Sequence, residues 1–182
     1  MKKAFDTINW AFLQKTLTAF NFGTNFKNWI NIFYNDISSC CLNNGNATPF
    51  FKISRGVRQG CPISALLFVL VVEVLANKIR SDLDLTGLKI NDREIQISQL
   101  ADDTTLFLHS LKDLEHVFSI LDKFHTCSEL KLNKTKTEAI IVWNDGSIYK
   151  DSSIGILWSD KPFKTLGMWY SLDIYVKCKK LT

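Results

Sequence analysis

An α+β fold is the class this sequence predicts, and three observations carry that reading. Apolar residues recur at helical spacing in several separate stretches, as in Leu13, Leu17 and Phe20. Short alternating runs flank turn-forming pairs such as Asn44–Gly45 and Asn91–Asp92, the pattern of antiparallel hairpins. The 182 residues are 46% hydrophobic, with 13 Phe and 5 Trp but only 8 Gly and 3 Pro, so they can close a packed core. Helices mixed with antiparallel hairpins give α+β rather than a parallel α/β sheet.

The elements follow in order. A helix is predicted from Asn9 or Trp10 to about Phe20, with Gly23 as its stop. Thr24 then caps a second helix whose Phe26, Trp29, Ile30, Phe33, Tyr34 and Ile37 share a helical stripe. That stripe reads as core packing, with a nucleic-acid stacking surface as the alternative. "CCLNNGNATPFFKIS" reads as a hairpin around the type I′ pair Asn44–Gly45. Pro62, whose missing amide costs nothing in a first turn, opens a helix running to about Ile79. Strands at 88–90 and 94–100 flank Asn91–Asp92, and another covers 104–109. Ser110 and Asp113 form a capping box for a helix burying Leu114, Val117, Phe118, Leu121 and Phe124. A polar linker near 144–153 leads to "KPFKTLGMWYS".

Composition excludes some classes and leaves others open. The 5 cysteines are odd in number and form no C-x-x-C, so neither a disulfide scaffold nor a structural zinc site is expected. Reduced thiols point to an intracellular compartment. His109, His116 and His125 look scattered rather than metal-ligating. "ALLFVLVVEVLA" is shorter than a bilayer span and carries Glu73, so it reads as a core helix, and no membrane partner is expected. "MKKAFDTINW" lacks the apolar run of a signal peptide. A net charge of +4 mildly favours an anionic partner without naming one.

Two segments carry the chemistry. In "QISQLADDTTLFLHS", Asp102 and Asp103 are adjacent acids between runs that can pair as strands. Two neighbouring carboxylates repel, and a divalent cation relieves the repulsion; magnesium favours carboxylate oxygen, water and phosphate. A solvated turn explains the same pair without a metal. In "RGVRQGCPIS", Arg55 and Arg58 offer guanidinium forks suited to phosphate, and Gly56 and Gly60 permit close backbone approach. Gln59 both donates and accepts, and the segment runs into a helix N-terminus that favours anions. It does not match a P-loop. The lysines of "KLNKTKTEA" face either a phosphate or solvent.

In order along the chain, "KKAFDTINW", "RGVRQGCPISALLF", "QLADDTTLFL", "LKLNKTKTE" and "FKTLGMWYS" resemble the reverse transcriptases of non-LTR, LINE-type retrotransposons. The resemblance implies a polymerase palm with partial fingers, antiparallel hairpins packed on helices, and no thumb. Residues 9–80 would supply fingers and palm, 88–109 the catalytic hairpin, and 111–170 the later palm and primer grip, in one partial domain over 1–182. It implies nucleotidyl transfer from a deoxynucleoside triphosphate to a primer 3′-hydroxyl on an RNA template. Two Mg2+ ions about 4 Å apart serve that chemistry, with Mn2+ as a substitute.

By the same resemblance, Asp102 is the principal metal-binding aspartate and Asp103 its acidic neighbour. Leu100 stands where the family often has an aromatic. Gln59 and Gly60 shape the floor under the nucleotide, and Arg58 contacts phosphate or template. Phe5 crowds a ribose 2′-hydroxyl. Lys136 lies on the triphosphate side as a catalytic lysine, offsetting pyrophosphate charge or donating a proton, and Leu166–Gly167 resembles the primer grip.

The implied partners are RNA template, DNA primer, deoxynucleoside triphosphate and the remainder of a polyprotein. A nuclear location follows from retroelement work alone, with no targeting motif in view. The family's first motif places a catalytic aspartate four residues before the Ala of Ala4–Phe5, which is position zero here, and Asp6 is not its substitute. The expectation is therefore a polymerase fragment, inactive in isolation, with a non-enzymatic nucleic-acid-binding remnant or a relic without function as alternatives.

Overall fold

The computed structural model describes residues 4–140, 155–159, 163–165 and 168–170. The chain divides into two compact units, residues 1–131 and 132–182. Helices and two-stranded antiparallel pairs make up the first, and among the described residues a 3-10 turn with two-stranded pairs the second, so the class is α+β.

The first unit is built around α4 (Pro62–Arg80), which begins with its proline in the first turn as expected. Leu67, Phe68, Val71, Val72, Leu75 and Ile79 are all buried along it. Each such side chain contributes about 1.5–3 kcal/mol relative to exposure. The covering comes from α2 (Trp10–Ala19), through Leu13 and Leu17, and from α5 (Leu111–Ser128), through Val117, Ile120 and Phe124. α4 has the length and hydropathy of a membrane span; one face of it is buried against α2 and α5, while Leu66 and Val69 stay exposed.

Local chemistry sets the helix ends. Asn9 caps α2, its side-chain oxygen accepting from the Phe12 amide at 3.0 Å. Ser110 and Asp113 form the capping box of α5 as predicted. The stop after α2 is not Gly23. The chain turns at Asn21, at φ 59°, and Gly23 is instead the extended N-cap of α3 (Thr24–Tyr34). Asn tolerates that left-handed backbone, which frees the glycine for the next helix. The aromatic stripe on α3 also divides: Ile30 and Tyr34 are buried, but Trp29 is 61% and Phe33 44% exposed. Residues three and four apart cover a broad arc, and only one edge of this arc meets α2.

After α3, β1 (Ser38–Ser39) pairs with β4 (Phe51–Lys52), enclosing the hairpin of β2 (Leu42–Asn43) and β3 (Asn46–Ala47). Asn44 and Gly45 both take positive φ, the predicted type I′ turn. Beyond α4, β5 (Leu88–Ile90) pairs with β6 (Arg93–Ile95) across Asn91. The strand expected over 94–100 is two strands, because Gln96 turns its amide to the Leu85 carbonyl at 2.9 Å. β7 (Ile97–Leu100) then pairs with β8 (Asp103–Leu106), which ends before the expected Leu108–His109. In α5 the buried set is Val117, Ile120 and Phe124, with Leu121 packed at its edge; Ile120 was not in the predicted stripe.

In the second unit a 3-10 turn, Lys134–Lys136, precedes β9 (Glu138–Ala139), which pairs in parallel with β10 (Leu157–Trp158). β11 (Phe163–Thr165) and β12 (Met168–Tyr170) pair antiparallel. The polar linker near 144–153 lies outside the described residues.

Candidate active site

A short helix, α1 (Ala4–Thr7), carries Phe5, and the loop before α4 is strapped to it. The Val57 amide donates to the Phe5 carbonyl at 2.7 Å, and the Gly56 amide to Ile8 at 2.8 Å. The Trp10 indole N–H returns to the Gly56 carbonyl at 2.7 Å. Gly56 sits at φ +88°, and a Cβ there would lie 2.9 Å from the Phe5 and Asp6 backbone. Only glycine allows this approach. The predicted close approach is therefore between a loop and a helix of the protein itself.

Phe5 stacks on Phe68 of α4, ring centroids 4.8 Å apart and 14° from parallel, which fixes the plane of its half-buried ring. Gln59 is exposed and donates to the Asp6 carboxylate at 3.2 Å. Asp6 thus positions Gln59. Arg58 is exposed, reaching the Phe33 carbonyl at 3.4 Å while keeping its charge uncompensated by that neutral acceptor. Gly60 takes φ +83° in open space just before Cys61 caps α4. The Cys61 thiol is held below its ordinary value, first by the Ile63 amide at the helix start.

The two acids stand at the tip of the β7–β8 hairpin. Leu100 pairs with Asp103, leaving Ala101 and Asp102 as the two-residue turn. Both acids are exposed, while Ile97, Leu106 and Leu108 anchor the hairpin in the core and β7 packs on α4. Ala101 takes φ 51°, unusual for a residue with a side chain. Hard carboxylate oxygens on adjacent residues, open to solvent, suit a hydrated magnesium ion. α4 thus carries the Phe5–Gln59 frame through Phe68 and the acidic hairpin through β7. Lys136 belongs to the second unit, exposed in its 3-10 turn. Leu166 and Gly167 lie outside the described residues, between β11 and β12.

One cluster was not legible in sequence. Asp82, Asp84 and His116 bring their ligand atoms within 4.8 Å of one another. Asp82 is buried, His116 lies 3.1 Å from its Oδ1, and Lys78 donates to its Oδ2 at 2.8 Å. The Lys78 ammonium supplies the positive charge this carboxylate needs, so the trio serves as a link between α4 and α5. His116 and Asp82 are 34 positions apart, and no local pattern joins them.

The family model for reverse transcriptase (RNA-dependent DNA polymerase) matches residues 1–170. The chain belongs to the reverse transcriptase family. Its relatives place this reverse transcriptase region among non-LTR retrotransposon proteins. It is 30% identical over 178 residues to the transposon TX1 uncharacterized 149 kDa protein of Xenopus laevis, covering 96% of the chain and 13% of that protein. It is 29% identical over 136 residues to the retrovirus-related Pol polyprotein from the type-2 retrotransposable element R2DM of Drosophila melanogaster, 75% of the chain and 13% of the relative. A Pol polyprotein from a type-1 element R2 of Popillia japonica is 26% identical over 149 residues, 81% of the chain and 21% of the relative. The chain thus spans about an eighth to a fifth of these proteins' lengths.

Proposed function

We propose that this region forms part of the palm and fingers of an RNA-directed DNA polymerase, extending a DNA primer on an RNA template. The family match over residues 1–170 carries the reading. Residues 9–80 supply fingers and palm elements, 88–109 the catalytic hairpin, and 111–170 the later palm and primer grip. Asp102 and Asp103 hold the divalent ions, magnesium by the chemistry of their oxygens. The ions, when bound, stabilise charge on the primer oxygen and the leaving pyrophosphate.

The residues themselves do the positioning. Phe5, held flat by Phe68, presents a wall that excludes a ribose 2′-hydroxyl. Gln59, tied back to Asp6, and Gly60 floor the nucleotide and template base. Arg58 meets phosphate with a guanidinium that no carboxylate among the described residues neutralises within hydrogen-bond reach. Lys136 offsets pyrophosphate charge, and Leu166–Gly167 grips the primer. The remainder of the polyprotein is a partner in this reading.

Two measurements test it. Mn2+ titrated by electron paramagnetic resonance should bind the chain, and Asp102→Asn should weaken that binding about tenfold. Primer extension by the polypeptide that carries this region should proceed with deoxynucleotides and be lost in the same variant. Binding and extension both indifferent to Asp102→Asn would overturn the assignment.

A further inference from the structure

Glu129 follows the last turn of α5 at φ 63°, in the left-handed region where helices ordinarily place glycine. A long charged side chain in that conformation carries backbone strain that glycine would not. Its carboxylate is fully engaged across the chain. The Asn9 side-chain amide donates to Oε1 and the Arg55 guanidinium to Oε2, each at 2.8 Å. One residue earlier, the Ser128 carbonyl accepts from the Asn9 backbone amide at 3.0 Å. Asn9 and Arg55, Asn9 first, hold the carboxyl below its usual range.

Both donors flank the frame already described. Asn9 ends the segment that carries Phe5 and Asp6, and Arg55 immediately precedes Gly56, Val57, Arg58 and Gln59. The two segments are otherwise joined by the amides of Gly56 and Val57, the Trp10 indole and the Gln59–Asp6 bond. A carboxylate that grips one residue from each is a clamp on their register.

We infer that Glu129 is a positioning residue: through Asn9 and Arg55 it holds the Gly56–Gly60 loop against the Phe5 segment, and so shapes the nucleotide side of the site. The nucleotide assignment rests on the polymerase reading above; the clamp does not. Glu129 touches no reacting atom in this reading. It acts through Asn9 and Arg55.

Glu129→Gly separates clamp from backbone, because glycine relieves the strain while removing the carboxylate. In the chain as it stands, hydrogen exchange at the Gly56 and Val57 amides should quicken about tenfold, with the melting temperature not lowered. Arg55→Ala should quicken exchange at the same amides, without the strain relief that glycine brings at position 129. The double variant should be no worse than Glu129→Gly alone, since that change already removes the bond to Arg55. Unchanged exchange in Glu129→Gly, or additive effects in the double variant, would overturn the clamp.

A second arm reads the nucleotide side. In primer extension by the polypeptide carrying this region, Glu129→Gly should raise the KM for deoxynucleotide several-fold and leave kcat nearly unchanged. A fall in kcat at constant KM would overturn that part of the inference. Failure of the wild-type polypeptide to extend any primer would count against the polymerase reading, while exchange would still decide the clamp.

Discussion

Ala101 bears the strain of the acidic hairpin. Its φ of 51° lies where a Cβ crowds its own carbonyl, at a cost of about 1–2 kcal/mol. Ala101→Gly should therefore stabilise the chain by about 0.5–1 kcal/mol, part of the relief being offset by glycine's greater freedom when unfolded. The midpoint of a urea transition checks this. The acids beside it were visible in sequence because adjacent carboxylates between apolar runs need a cause. The strain was not, because alanine gives no signal for positive φ as an Asn–Gly pair does. Gly56 shows the converse: its glycine advertised a close approach, but only the structure names Phe5 and Asp6 as what approaches.

At the scale of elements, α4 joins the two halves of the candidate site. Phe68 is wholly buried and also backs the ring of Phe5, so Phe68→Ala should cost about 3–5 kcal/mol, read by chemical denaturation. The milder Phe68→Leu should preserve the fold while freeing Phe5 to tilt.

The link from α4 to α5 through Asp82 has its own signature. Lys78 and then His116 hold the Asp82 carboxyl down to about 2, against an ordinary value of 3.8. A depressed carboxylate contributes stability above its ordinary range and loses it as pH falls. An acid titration followed by circular dichroism should show that loss between about pH 4 and 2, and Asp82→Asn should remove it. The helices were legible from periodicity and caps. Which edge of the α3 stripe stays outside was not, since Trp29 and Tyr34 look equally apolar until a neighbour is present.

For the whole molecule, the net charge of +4 supports the partner that family membership brings to mind. Binding of the chain to single-stranded RNA should weaken steadily with salt, each phosphate contact adding about 0.7 to the logarithmic slope. A flat response, measured by fluorescence anisotropy, would remove nucleic acid as its electrostatic partner. Motif order revealed the family along the chain, because each motif is a contiguous run of residues; long-range pairs such as Asn9 with Glu129 leave no local trace.

The central place of α4 has a last consequence, for synthesis. α2 leaves the ribosome before α4, but α5 follows only after both small hairpins have been made. Until then Val71, Val72, Leu75 and their neighbours have only part of their eventual cover. A nascent chain stalled between α4 and α5 presents a sticky apolar rod, the natural substrate of a chaperone.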